Sequence, residues 1–487
     1  VEQVSPGFSE RYLLQAAQFA HEVGQYRAYV RDVVRLADAR ADAYGFADDV
    51  VEFSTSLAKI MTPVEVRRSG THLFHEVSVR QLLRGSSGGP AQWHDHNWEL
   101  YLSLVFANTS VTLQDDDRVI VMDLPYLQRL AVLLSESDPL VIERYLWWSV
   151  FSTLAPMSRA EFRTRGFEFS RAVFGLQQRT PRWKACAANV NANFGVALSY
   201  LYVQRHFNNQ SREKAMEMVE DVRSAFAQTV HTLEWMDAGT RRTTLRKLRA
   251  IRSFVGYPAW LATARRLDLH YRHAEVVEGN LFETYLKLTW AAVRKSLNSL
   301  REKPDRNRWV ASATTVNAFY SATLNSVTFP AGILQPPFYG NGIEAINYGS
   351  IGAIMGHEVT HGFDDQGRRY DEEGNLKQWW SAATLEHYHE RVRCIIDQYS
   401  TYHMPELPAY SVHGFNTQGE NIADNGGLRA ALRAYERLAR RRPAADALPA
   451  LPAYTPRQLF FLGFAQVCPS PTLPLSYSTL PPLIHDF

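Results

Sequence analysis

Two histidines four residues apart constrain this chain more than any other feature of it. In His357-Glu358-Val359-Thr360-His361 the spacing puts both imidazoles on one face of a helix, where each can aim a ring nitrogen at the same metal ion. Glu358 follows the first histidine and is available as a base rather than as a ligand. Ile351, Ile354 and Met355 make the preceding turn apolar, so the helix is expected to run through the interior.

A catalytic metal needs a third protein ligand and an open position. Gly419-Glu420-Asn421-Ile422-Ala423-Asp424-Asn425-Gly426-Gly427 offers one. If the segment is helical, Glu420 and Asp424 lie one turn apart on a shared face. Glu420 would then ligate, and Asp424 would accept a hydrogen bond from the distal N–H of a ligating histidine, fixing its tautomer. A capped, solvated helix start with two ordinary acids fits the spacing as well, and the residues alone leave both readings open.

Composition bounds the rest. The 487 residues suggest about two to four domains. Apolar residues at 46% and charged residues at 21% give a globular balance rather than a disordered one. The 52 basic and 50 acidic residues leave a net charge of +2, so no nucleic-acid partner is expected. No stretch approaches the roughly 20 apolar residues of a membrane span. The best run, 145–151, reads as a buried helix. Val1-Glu2-Gln3-Val4-Ser5-Pro6 has neither an initiator Met nor a signal-peptide pattern, so the chain reads as a mature form or a fragment. The three cysteines, Cys186, Cys394 and Cys468, are an odd count and too far apart for a zinc knuckle.

Along the chain the pattern is mainly helical from residue 10 to about 300. Met216, Val219, Val222, Phe226 and Val230 recur at steps of three and four and so share a helix face. Gly256-Tyr257-Pro258 and Lys303-Pro304 punctuate the pattern. Residues 309–335 are richer in β-branched and aromatic side chains and predict two short strands with a turn near Leu324-Asn325. Helix returns over 347–363 and 420–440, and prolines make 469–487 irregular. His94-Asp95-His96, beside Trp93 and Trp98, reads as a surface turn. Asp364-Asp365 with Asp371-Glu372-Glu373-Gly374 lacks the spacing of a calcium loop and reads as turn chemistry.

His357-Glu-Val-Thr-His361-Gly-Phe-Asp-Asp365, Glu420-Asn-Ile-Ala-Asp424-Asn-Gly-Gly427, Val316-Asn-Ala-Phe-Tyr320 and Phe329-Pro-Ala-Gly-Ile-Leu-Gln-Pro-Pro-Phe338 together closely resemble the neprilysin/endothelin-converting-enzyme family of zinc metallopeptidases. The strong match covers roughly 309–467, and residues 1–180 resemble the family's helical cap only loosely. The resemblance implies a mainly α fold with a small β component (α+β), a thermolysin-like zinc peptidase lobe plus a large helical cap lobe. It would place the cap at 1–190, interlobe helices at 191–308, the catalytic domain at 309–468 and an irregular tail at 469–487. It implies one zinc ion per chain, held by His357, His361 and Glu420. Glu358 would be the base assisting attack of zinc-bound water, and Asp424 the acid behind a ligand. Asn317 and Ala318 match the edge segment that pairs with an extended substrate backbone. Ile333 and Phe338 match the hydrophobic pocket for the side chain just after the cleaved bond. The implied function is a zinc endopeptidase hydrolysing small peptides on the amino side of hydrophobic residues. Its setting would be extracellular, as a secreted protein or the ectodomain of a single-pass type II membrane protein. The glycosylation triplets Asn108-Thr-Ser110 and Asn209-Gln-Ser211 fit that setting.

The resemblance also breaks. After Val467 the family continues with about fifty residues that supply a histidine for the oxyanion and an arginine for the substrate carbonyl. This chain has Cys468 and a proline-rich tail, in which His485 is the only later histidine. The three cysteines match family positions whose disulfide partners lie in segments absent here, so truncation at both ends is expected. That departure keeps a rival open: a zinc-bearing but catalytically impaired member that acts as a peptide-binding or decoy protein.

Overall fold

The computed structural model describes residues 2–69, 75–84, 98–340, 342–404, 407–441 and 453–467. His94-Asp95-His96, Cys468, His485 and the tail at 469–487 lie outside the described residues. The fold is mainly α with a small β component. Two compact units are present. Among the described residues, one comprises those up to Pro181 with Arg272–Pro304, the other Arg182–Tyr271 with those from Asp305 to Val467. The segment 191–308 is thus shared between them, and Lys303-Pro304 marks the return to the second unit.

In the first unit the helices Ala20–Ala37, Ala43–Ile60, Pro139–Leu154 and Ala160–Phe174 pack together. Their starts are written locally. Asp42 accepts from the Gly45 amide at 3.0 Å, and Asp138 from the Leu140 amide at 2.8 Å with Pro139 in the first turn. Tyr26, Val30, Val33 and Val50 close the core around Trp148, whose indole N–H donates to the Tyr26 hydroxyl at 2.8 Å. The aromatic run at 145–151 corrects an expectation. Tyr145 and Trp148 are buried, but Leu146, Trp147 and Val150 are exposed. A helix turns once in about 3.6 residues, so an unbroken apolar run reaches every side and only part of it can face a core.

The second unit carries the histidine motif. Its helix Asn209–His231 buries Met218, Val219, Val222, Ala225 and Val230. Met216, expected on that face, is exposed, and Met218 takes its place. Asp237 opens a further helix, Ala238–Ala250, by accepting from the amides of Gly239 and Thr240 at 2.8 and 2.9 Å. That helix feeds the strand Arg252–Gly256, which lies parallel to Ser326–Pro330. Ser326–Pro330 in turn pairs antiparallel with Phe319–Ser321. The expected hairpin is therefore present. Its turn residue Asn325 takes φ +45°, where a short polar side chain is tolerated. The Asn325 side-chain Nδ2 donates to the Lys247 and Glu372 carbonyls at 3.3 and 3.2 Å.

The helix bearing both histidines, Ala353–His361, continues from Glu344–Asn347 through one wide π-helical turn, Tyr348–Gly352. Ser350 Oγ sits 2.7 Å from the Ile346 carbonyl and 2.6 Å from that of Phe338, so the widened turn is filled by a polar group. The helix Gln418–Arg441 lies against Ala353–His361, and the two share the densest packing in the unit. They meet glycine to glycine. A Cβ on Gly356 would sit 2.7 Å from the Gly427 Cα, and one on Gly427 2.8 Å from the Gly356 carbonyl carbon. Gly427→Ala is therefore expected to destabilise the protein by about 1–3 kcal/mol through overpacking. This outweighs the roughly 1 kcal/mol by which alanine is the better helix former. Urea unfolding of the two proteins checks it.

Candidate metal centre

The glycine contact brings two helices close enough for short side chains to meet. His357 Nε2 and His361 Nε2 lie 2.9 Å apart, and Glu420 Oε2 lies 3.2 and 3.3 Å from them. Four ligands at about 2.0–2.1 Å from a tetrahedral zinc would stand about 3.3 Å from one another, so the triangle has the right size. Among the described residues, these three form the one cluster of histidine, cysteine or acidic side chains with ligand atoms so grouped.

The chemistry of the donor set agrees with the size. Asp424 Oδ1 lies 2.8 Å from His357 Nδ1, and Asp364 Oδ2 lies 2.7 Å from His361 Nδ1. A carboxylate only accepts, so in the neutral ring each Nδ1 carries the hydrogen and each Nε2 keeps a lone pair. Two nitrogen lone pairs and a carboxylate oxygen then converge on one point. Such a convergence of acceptors calls for a cation, either a metal ion or protons.

Electrostatics in the metal-free chain follow from this. Burial opposes protonation of His357, but hydrogen bonds to Asp424 and Glu420 push it up to about 9. Burial likewise opposes protonation of His361, and Asp364 with Glu420 hold it well above the ordinary histidine value. Burial disfavours a charged Glu420, yet the hydrogen bonds from both histidines keep its carboxyl well below the usual carboxylate range. Glu358 is 6% exposed, and burial raises its carboxyl above the ordinary value, against the pull of the two histidines. It accepts a backbone hydrogen bond from Tyr320, so the strand Phe319–Ser321 lies at its side.

The residues expected at the site fall into three groups. His357, His361, Glu420 and Asp424 are brought together, and Glu358 lies beside them. Asn317 and Ala318 lead into Phe319–Ser321, an edge strand of the three-stranded sheet, and the Asn317 side chain accepts from the Ala318 amide at 2.8 Å. Ile333, 2% exposed, lies within the core cluster, and Phe338 is half-buried against the same cluster. Asp364 is a residue that sequence reasoning assigned to turn chemistry alone. It does bind the Gln366 and Gly367 amides, at 2.9 and 2.6 Å, but it also orients His361. An acid three residues beyond the second histidine of the motif, at a helix end, was the available signal. Cys186 and Cys394 are free thiols.

Comparison with known proteins accords with this geometry. Two family models match in order, the N-terminal model of peptidase family M13 over residues 1–258 and its peptidase model over 317–474. Endothelin-converting enzyme 1 of Rattus norvegicus is 36% identical over 420 residues, covering 86% of this chain and 53% of that protein. Membrane metallo-endopeptidase-like 1 of Homo sapiens is 37% identical over 424 residues, with the same coverage, 86% and 53%. The chain thus spans about half the length of these relatives. The crystal structure of the Mycobacterium tuberculosis zinc metalloprotease Zmp1 with an inhibitor superposes with a TM-score of 0.79 at 30% identity, covering 94% of this chain and 67% of that one. PepO of Lactobacillus rhamnosis shares the fold, with a TM-score of 0.78 at 24% identity, covering 94% of this chain and 68% of that one. Since the N-terminal model by itself spans more than half of the residues, and the peptidase model follows it over the histidine motif, the chain belongs to peptidase family M13.

Proposed function

We propose that this chain carries the zinc centre of a metalloendopeptidase acting on short peptides. The reading rests on one observation: His357 Nε2, His361 Nε2 and Glu420 Oε2 converge while Glu358 stands buried beside them. Zinc in that triangle would polarise a scissile carbonyl and lower the pKa of a water from about 15.7 towards about 7.

The remaining roles belong to the chain. Asp424 and Asp364 hold the imidazoles in the ligating tautomer. Glu358, kept from bulk water, accepts a proton from the attacking water and returns it to the departing amine. No covalent intermediate is needed. Asn317 and Ala318, entering an edge strand beside Glu358, offer backbone groups to an extended peptide by strand addition. Cleavage on the amino side of hydrophobic residues places the following side chain near Phe338, with Ile333 behind it in the core. An extracellular setting is supported by the glycosylation triplets, as Asn108 and Asn209 are both exposed. Among the described residues no helix is long and apolar enough to cross a membrane.

Two measurements test this. With zinc bound, Glu358→Gln should retain the metal and lose turnover of a quenched hydrophobic peptide by about 10²–10⁴-fold. Equal turnover by the two proteins would reject Glu358 as the base. Bound zinc without turnover in the parent chain would favour the peptide-binding reading instead. The second concerns pH. The raised His357 value stabilises the metal-free fold fully below pH 6.5, and that contribution is lost as pH rises through about 9. Protons and zinc compete for the same nitrogens, so zinc affinity should rise over that window, measured by chelator competition. A flat affinity would mean that the histidines are not ligands.

A further inference from the structure

Lys247, on the helix Ala238–Ala250, is 0% exposed, and among the described residues no other lysine or arginine is buried. A buried ammonium is costly unless every proton finds an acceptor. Its Nζ donates to the carbonyls of Gly362 and Gly367 at 2.7 Å and of Tyr370 at 2.8 Å. Three acceptors use all three protons of an ammonium, one more than a neutral amine has. Burial pushes the group down to about 7, while the charges of Asp364, Asp371 and Glu372 hold it up. The rings of Phe363, Trp379 and Tyr320 surround it, with centroids at 5.3, 5.7 and 6.0 Å.

Those carbonyls bracket the turn that follows His361. Inside the turn, Asp364 takes the Gln366 and Gly367 amides on one oxygen and meets His361 Nδ1 with the other. Gly367 serves both partners, with its carbonyl on Lys247 and its N–H on Asp364. The contacts therefore run from the ammonium through one residue's backbone to a carboxylate, and through the carboxylate to an imidazole. We infer that Lys247 is a positioning residue of the metal centre, holding the 362–370 turn in the shape that keeps Asp364 on His361. This rests on the reading of His357, His361 and Glu420 as a metal site. A lysine that merely filled the core would affect stability and leave the ligand geometry alone.

Zinc affinity of the metal-free chain, measured by chelator competition well below the melting temperature of each variant, separates these cases. Lys247→Met should weaken zinc binding by about 10–100-fold, the usual cost of losing support behind a ligand. Leu248→Ala, its buried core neighbour, should lower the melting temperature and leave the affinity unchanged. Adding Asp364→Asn to Lys247→Met should cost little more than Asp364→Asn alone, because both cut the same chain of contacts. Parental affinity in Lys247→Met, equal weakening in Leu248→Ala, or additive losses would overturn the positioning role. A parent chain that binds no zinc would instead reject the metal site itself. Should Lys247→Met fail to fold, hydrogen exchange on the parent chain decides the matter. The Arg368 and Tyr370 amides, bonded within the turn, should stay protected after zinc is removed. Rapid exchange on removal would show that the metal, and not Lys247, holds the turn.

Discussion

The candidate metal centre depends on how closely two helix backbones approach at Gly356 and Gly427. Helix axes normally stand about 8–10 Å apart because side chains intervene. Here neither partner has one at the crossing, and Gly426 likewise faces Thr360, where a Cβ would meet the Thr360 Cγ2 at 2.6 Å. Short carboxylates such as Glu420 and Asp424 can then reach across to His357 without stretching. Thr360 takes part from the other side, donating to the Gly356 carbonyl at 2.7 Å and so settling its own hydroxyl within the helix.

Around that contact the polar groups are arranged in two layers. The inner points are all acceptors, two imidazole nitrogens and a carboxylate oxygen. The outer points, Asp424 and Asp364, fix the rings from behind. Glu358 belongs to neither layer. It faces the edge strand, and its dry surroundings raise its proton affinity, the condition under which a carboxylate serves as a base near neutral pH.

The parts of this arrangement that were legible in the sequence are those written at short range. Helical spacing placed His357 with His361, and Glu420 with Asp424, each pair on one face. The β-branched segment and the left-handed Asn325 gave the hairpin its strands and its turn. What escaped is what only tertiary contact decides. The strand Arg252–Gly256 pairs in parallel with residues far along the chain, and no local periodicity announces such pairing. Lys247 sits among arginines on its helix, and nothing in the local sequence marks it as the one that three distant carbonyls surround. Met216 lies three residues before Val219 and Met218 four before Val222, so spacing alone does not decide which of them joins the buried face. Trp147 in an apolar run looks internal, although the helix has only one buried side to give.

The unit that holds the candidate metal centre is discontinuous. Between Arg252–Gly256 and its parallel partner Ser326–Pro330 the chain leaves for the first unit over Arg272–Pro304 and then returns. Ribosomes deliver residues in order, so the early strand waits unpaired while the excursion is synthesised, and the histidines emerge well before Glu420. Closing so long a gap costs little more entropy than closing a short one, about 0.6 kcal/mol for each doubling, so the delay is one of timing rather than of energy. A nascent chain of this design holds an incomplete triangle of donors until translation has passed Glu420, 59 residues after His361.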